Sequence, residues 1–178
     1  MKLLPLMLAV SMLVPQFSAL VALPTSTDLN WIPAQERKRA DLSVELKTLQ
    51  GKKVSLEDFR NRVVFINVWA TWCGPCKEEM PAIAALYGTL HNEGIDILAV
   101  TNESPKKVLG FLKQQQFPFT ILVDPKEKFL ERFRVDRFPT TLVIDKSGRV
   151  ALHHAGVADW NSPPIVEALH SLMSQSAD

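Results

Sequence analysis

The run Val63-Val64-Phe65-Ile66-Asn67-Val68-Trp69 is almost unbroken in apolar, β-branched and aromatic residues. A strand with one wet face alternates, whereas a strand covered on both faces, as in a parallel sheet, reads like this run. Ile95 to Thr101 repeats the pattern, and Phe119 to Val123 repeats it in shorter form. Between the first two the period changes. Met80, Ile83, Ala84, Tyr87 and Leu90 recur at helical spacing, which predicts a helix from Cys76 to about His91, kinked at Pro81 and stopped with the help of Gly94. Ser104-Pro105 supplies a cap and a first-turn proline for a second helix through Val108, Phe111 and Leu112. Lys126 to Phe133 reads as a short third helix, and Ser162-Pro163-Pro164 opens a last one over Ile165 to Met173. Two hairpins complete the pattern. One joins Val44-Glu45-Leu46 to Val54-Ser55-Leu56 around Gln50-Gly51-Lys52, followed by one helical turn over Leu56 to Arg60 capped by Ser55. The other joins Thr140 to Ile144 with Arg149 to His153 around Lys146-Ser147-Gly148. Strands alternating with helices, closed by a hairpin and a helix, predict an α/β fold with a central mixed sheet covered on both faces.

The start of the chain is of another kind. Lys2 precedes a stretch, Leu3 to Thr27, without a single charge and rich in Leu, Val, Ala and Met. This is the pattern of a secretory signal, and it is also long enough to span a bilayer, which takes about 20 apolar residues. Pro5, Pro15, Gln16 and Ser18 interrupt it, and Leu20-Val21-Ala22 is only a poor cleavage site. Residues 1–24 therefore read as a cleaved signal peptide or a retained membrane anchor, and the protein as one exported to the cell envelope or periplasm. Thr25 to Ala40 mixes Pro, Ser, Asn and charge and reads as a linker, with Arg37-Lys38-Arg39 solvated inside it; residues 41–175 form the folded domain. A formal net charge of +1 argues against a nucleic-acid partner, because a protein that neutralises many phosphates carries a basic excess.

The two cysteines of the chain, Cys73 and Cys76, lie in Trp72-Cys73-Gly74-Pro75-Cys76-Lys77, at the turn from the first long strand into its helix. A disulfide across so short a loop contributes about 2 kcal/mol by chain entropy, little for a structural staple. Two sulfurs this close suit a bond made and broken repeatedly. A helix N-terminus stabilises a thiolate, so Cys73, at the first turn, reads as the attacking thiol, and Cys76, one turn further in, as the shielded resolving thiol. A zinc site would need two further ligands. His153 and His154 are adjacent on a strand and point to opposite faces, so neither a metal nor a cofactor is expected. A peroxidase has no need of a resolving partner two residues away. A membrane-tethered copper chaperone or adaptor that uses the pair only to bind remains the alternative.

Val68 to Lys77 resembles the active-site segment of the thioredoxin superfamily, and Phe138-Pro139-Thr140 resembles its cis-proline loop. Over Leu42 to Met173 the chain is similar to the TlpA/ResA group of envelope thiol–disulfide oxidoreductases, related to the reductants of cytochrome c maturation. The export segment, the hairpin before the first long strand and the extra segment between the first and third helices carry that likeness. So does Glu79, three residues after Cys76, which matches a glutamate common in the group. The resemblance implies a thioredoxin-like fold with those two additions, a cis bond before Pro139, and a reductant's Gly74-Pro75 dipeptide. Asn67 stands where thioredoxin keeps a buried aspartate, which leaves Glu79, one helical turn beyond Cys76, as the carboxylate to tune the thiols. Trp72 is expected half exposed over the site and Trp69 in the core. Lys77 reads equally as a solvated residue or a thiolate partner, and Arg132, Arg134 and Arg137 read as a solvated rim. The implied partners are disulfide-containing exported proteins, apocytochrome c or its assembly factors among them, and a membrane thiol that donates electrons.

Overall fold

The computed structural model describes residues 29–177; the expected signal or anchor lies outside the described residues. Eleven elements follow one another: β1 (Glu45–Thr48), β2 (Lys53–Ser55), β3 (Val63–Val68), α1 (Gly74–Leu90), β4 (Ile95–Thr101), α2 (Pro105–Leu112), β5 (Thr120–Val123), α3 (Lys128–Arg132), β6 (Thr140–Ile144), β7 (Val150–Ala155) and α4 (Pro163–Ser174). The strands form one mixed sheet in the order β2-β1-β5-β4-β3-β6-β7. β3, β4 and β5 run parallel, and β1, β6 and β7 pair antiparallel with their neighbours.

The unbroken apolar run of β3 has its cause in this placement. Val63 and Phe65 pack with Met80, Ile83 and Leu86 of α1 and with Ile165 and Leu169 of α4. Val64, Ile66 and Val68 pack on the other side with Leu56, Phe129 and Phe133. Side chains alternate across a strand, so a strand covered on both faces needs apolar residues at every position. The expected hairpins are present, with Leu46 opposite Val54 and Thr141 opposite His154. The turn Leu56–Phe59 is a 3-10 helix closed by a capping box between Ser55 and Asp58.

Several boundaries differ from the sequence expectation. α1 begins at Gly74, two residues early, because Cys73 itself caps it. Pro81 sits inside α1, which continues on both sides of it. The buried stripe Met80, Ile83, Leu86 and Leu90 holds both halves to the sheet, against the roughly 3 kcal/mol that an interior proline costs. α3 is only Lys128–Arg132, because the Asp124 carboxylate reaches over from the end of β5 and accepts the N–H groups of Lys128 and Phe129 at 3.1 and 2.8 Å. Ser104 occupies the cap position of α2 without a side-chain hydrogen bond.

The largest difference concerns the stretch read as a linker. Its described part, residues 29–40, lies docked on the domain. Leu29 is buried in the core, the Ile32 N–H donates to the Ala151 carbonyl at 2.8 Å, and the Val150 N–H donates to the Lys38 carbonyl at 2.9 Å. Arg37, expected in solvent, is instead nearly buried. Three acceptors converge on it: the Ile32 carbonyl at 2.9 Å, Asp145 at 3.0 Å and the Gln175 side chain at 3.0 Å. A guanidinium with fixed donors is suited to such a set, whereas composition alone gives no hint of it.

Candidate active site

β3 runs into a turn in which the Cys73 N–H donates to the Ala70 carbonyl at 3.1 Å, and α1 starts directly afterwards. The first N–H groups of a helix have no intrahelical acceptor and carry the positive end of its dipole. Cys73 is the cap residue, with Sγ accepting the Cys76 N–H at 3.2 Å, so a sulfur does what a serine hydroxyl does elsewhere. The two sulfurs form a disulfide across this first turn. Cys73 is 4% exposed and Cys76 not at all, the shielding order the spacing predicted. Pro75 occupies the first turn, where its missing N–H is no loss. Gly74 has no positive φ, and a β-carbon there would meet nothing within 4 Å, so neither backbone nor crowding demands glycine.

The rim of the pair is apolar. Trp72 is 61% exposed, and its ring stands edge-on to Phe138 at 5.5 Å. The Phe138–Pro139 bond is cis, as the resemblance implied, and the Pro139 carbonyl accepts the Gly156 N–H at 2.9 Å. Trp69 is buried between α2 and the loop after it, against Phe111 and Phe117. Lys77 is partly buried in α1. Arg132, Arg134 and Arg137 are exposed, the first paired with Asp41 and the last with Asp136.

Glu79 is buried on the same face of α1 as Cys76. Its Oε1 accepts from Asn67 Nδ2 at 2.7 Å and its Oε2 from Trp160 Nε1 at 2.8 Å, with the Ala158 N–H as a further donor. Asn67 also donates to Thr141 at 3.1 Å, and its Oδ1 is buried without a partner among the described residues. Burial pushes the Glu79 carboxyl above the usual carboxylate range, and the donors from Trp160, Asn67 and Ala158 offset only part of that. Asn67 thus occupies the buried aspartate's place as a donor to the carboxylate that sits on α1.

A second buried carboxylate lies on the other side of the turn. Glu103, in the loop between β4 and α2, accepts the Thr71 N–H at 2.6 Å and the Thr71 hydroxyl at 3.0 Å, and pairs with Lys107 at 2.5 Å. Burial pushes its carboxyl up, but Lys107 and the two bonds from Thr71 outweigh this and hold it below the usual range.

Sequence reasoning found neither Glu103 nor Trp160. Trp160 sits in the polar stretch Asp159-Trp160-Asn161-Ser162, and a large aromatic in such company is the one cue that could have marked it. The His153 Nε2 donates to the Phe133 carbonyl at 3.1 Å, whereas His154 lies edge-on to Trp160 at 5.9 Å. The two imidazoles therefore face opposite sides of β7, as expected, and do not meet.

A family model described as the AhpC/TSA family matches residues 38–153. Among curated proteins, the chain is 38% identical over 103 residues to a thiol-disulfide oxidoreductase ResA of Bacillus thuringiensis, covering 57% of this chain and 60% of that protein. To the protein of the same name from Geobacillus thermodenitrificans it is 40% identical over 106 residues, 59% of this chain and 61% of that one. The chain thus spans less than two thirds of the length of these relatives. Among solved structures it is similar to the exposed lipoprotein thioredoxin of Streptococcus pneumoniae, with a TM-score of 0.64 and 26% identity over 72% of this chain and 98% of that one.

Proposed function

Because the chain belongs to the AhpC/TSA family and folds as a thioredoxin-like protein, we propose that it is an exported thiol–disulfide oxidoreductase that reduces protein disulfides in the cell envelope. The observation that carries the reading is Cys73 as helix cap, its sulfur held against a free N–H of α1, where a thiolate is favoured over a thiol.

In the reduced protein the Cys73 thiolate attacks one sulfur of a substrate disulfide. A bond forms between Cys73 and that sulfur, and the other substrate sulfur leaves as a thiolate that takes up a proton. Cys76 then gives up its proton and attacks Cys73 Sγ, closing the Cys73–Cys76 bond and releasing the second substrate sulfur. Two electrons pass from the pair to the substrate, and a donor dithiol returns them. Glu79 serves as the proton acceptor for the resolving step. It lies on the buried face of α1 with Cys76, and a carboxyl raised by burial is better matched to a thiol than an exposed one. Trp72, Phe138 and Pro139 form the edge along which an extended substrate segment docks.

Export rests on Lys2 and the uncharged run after it, and the likeness to an exposed lipoprotein thioredoxin supports it. The substrates are disulfide-bearing envelope proteins, with c-type cytochrome assembly as the narrower role. A membrane thiol is the donor. The test is trapping. Cys76→Ala should accumulate mixed disulfides with a small set of exported proteins, while Cys73→Ala traps almost none, and the reduced wild type should reduce insulin. Equal trapping by both variants would overturn the roles, and a wild type inert toward insulin would overturn the activity.

A further inference from the structure

Glu103 and Thr71 belong to different loops, one after β4 and one after β3, at the edge of the parallel strands where the cysteine pair lies. Thr71 stands two residues before Cys73 and directly before the exposed Trp72. Its N–H and its hydroxyl both end on one carboxylate, at 2.6 and 3.0 Å. Glu103 is 8% exposed, so these bonds sit largely out of reach of competing water. Lys107, one turn into α2, balances the charge, and the Glu103 N–H is tied back to the Thr101 hydroxyl at 3.3 Å. The carboxylate is therefore itself held from both sides before it holds the loop.

The turn it holds has little else to fix it. The Trp69 N–H donates to the Val100 carbonyl of β4 at 3.0 Å and the Cys73 N–H to the Ala70 carbonyl at 3.1 Å, and the two residues between Ala70 and Cys73 carry the exposed indole. We propose that Glu103 is a positioning residue for the cysteine pair: by clamping Thr71 it keeps Cys73 Sγ on the free N–H groups of α1 and Trp72 beside Phe138. The proposal rests on the oxidoreductase reading, because only there does the placement of Cys73 affect turnover.

Geometry and charge make opposite predictions here, which gives the test its power. A carboxylate acting merely as a nearby negative charge disfavours a thiolate, so its removal would lower the pH at which Cys73 becomes reactive. A clamp that keeps the sulfur on the helix end favours the thiolate, so its loss raises that pH. Glu103→Gln separates the two further, since the amide can still accept from the Thr71 N–H while the charge is gone.

The experiment follows Cys73 alkylation against pH on the reduced full chain, together with insulin reduction, Thr71 amide exchange and thermal unfolding. For Glu103→Ala the alkylation inflection should move to higher pH, Thr71 exchange should speed at least about tenfold, and insulin reduction should slow about tenfold to a hundredfold. Glu103→Gln should stay within about twofold of the wild type, as expected where hydrogen bonding is retained. If Glu103→Ala fails to fold, Thr71→Val removes the hydroxyl bond alone and should shift the inflection the same way by less, with Thr71→Ser restoring it. An inflection that moves down, or one that stays put while only melting changes, overturns the proposal. So does a Gln variant as slow as the Ala variant. A wild type that leaves insulin unreduced, while alkylation and exchange respond as stated, would sink the oxidoreductase reading and leave the clamp standing.

Discussion

Trp160→Phe isolates what the buried carboxylate of Glu79 needs from its surroundings. The substitution removes the indole N–H that donates to Glu79 Oε2 at 2.8 Å, together with part of a ring that packs edge-on to Phe65 at 5.1 Å. The packing loss, about 1–2 kcal/mol for a fully buried aromatic cut back to a smaller one, is the same at every pH. The hydrogen bond is not. To a neutral carboxyl it contributes about 1 kcal/mol, and to a carboxylate about 2. Glu79 is raised by burial, so the folded state keeps a proton that the unfolded chain releases. Its contribution to stability is then complete below the ordinary carboxylate range and is lost as pH rises through the raised value. Taking away the donor weakens the ionised form in particular and steepens that loss. The expected deficit of the variant is roughly 2–3 kcal/mol at pH 4 and roughly 1 kcal/mol more at pH 8, a further drop of about 2–4 °C in melting temperature. Urea unfolding of both oxidised proteins across this range measures it, because the cysteines do not titrate in the disulfide and all other groups cancel in the difference. Parallel stability curves for the two proteins would refute the argument, and with it the picture of an ionisable Glu79 held by Trp160.

The remaining predictions concern other parts of the site and its support. Glu79→Gln removes the titration, so its stability relative to the wild type should improve as pH rises from acid to neutral, and its insulin reduction profile should shift along the pH axis; superimposable rate profiles would remove Glu79 from proton transfer. Arg37→Ala leaves Asp145 buried with, among the described residues, Ser147 and the Arg149 N–H as its remaining donors, at 3.0 and 2.9 Å. It should cost about 3 kcal/mol or more, with partial recovery in Arg37→Ala/Asp145→Ala, and a cost under about 1 kcal/mol would contradict the docked segment. Trp72→Ala, at an exposed position, should change stability by less than about 0.5 kcal/mol while slowing insulin reduction several-fold; an unchanged rate would remove Trp72 from the docking edge.

The parts of this protein legible in its sequence are those whose cause is local. The β3 run, the spacing of Met80, Ile83 and Leu90, the Ser55 cap and the Cys73-Cys76 turn each announce themselves within a dozen residues. The parts that stayed hidden join distant positions. Trp160 reaches Glu79 across 81 residues, Asn67 reaches Thr141 across 74, and Glu103 reaches Thr71 across 32. No periodicity brings such pairs together; the sheet order does, by setting β6 beside β3 and the loop after β4 beside the loop after β3. Arg37 failed for a related reason. A basic run beside Pro and Asn reads as solvated unless one knows that Asp145 and Gln175, over a hundred residues away, converge on it.

The docked segment has a consequence that belongs to the crowd rather than to the single molecule. β2 and β7 are the outermost strands of the sheet, and an outermost strand offers an unpaired row of N–H and C=O groups to any passing chain. β2 presents little, being three residues long and carrying Lys53. β7 is twice that length, but the Lys38 carbonyl and the Ile32 N–H already occupy Val150 and Ala151 at its start, and the Ala40 N–H takes the Gly148 carbonyl in the turn before it, with Arg39 bridged to Arg149. The stretch leading back toward the N-terminus therefore doubles as a shield against edge-to-edge self-association. Of two chains, one beginning at Leu29 and one beginning after Ala40, the second should lose solubility at concentrations where the first stays monodisperse, with its cysteine chemistry intact.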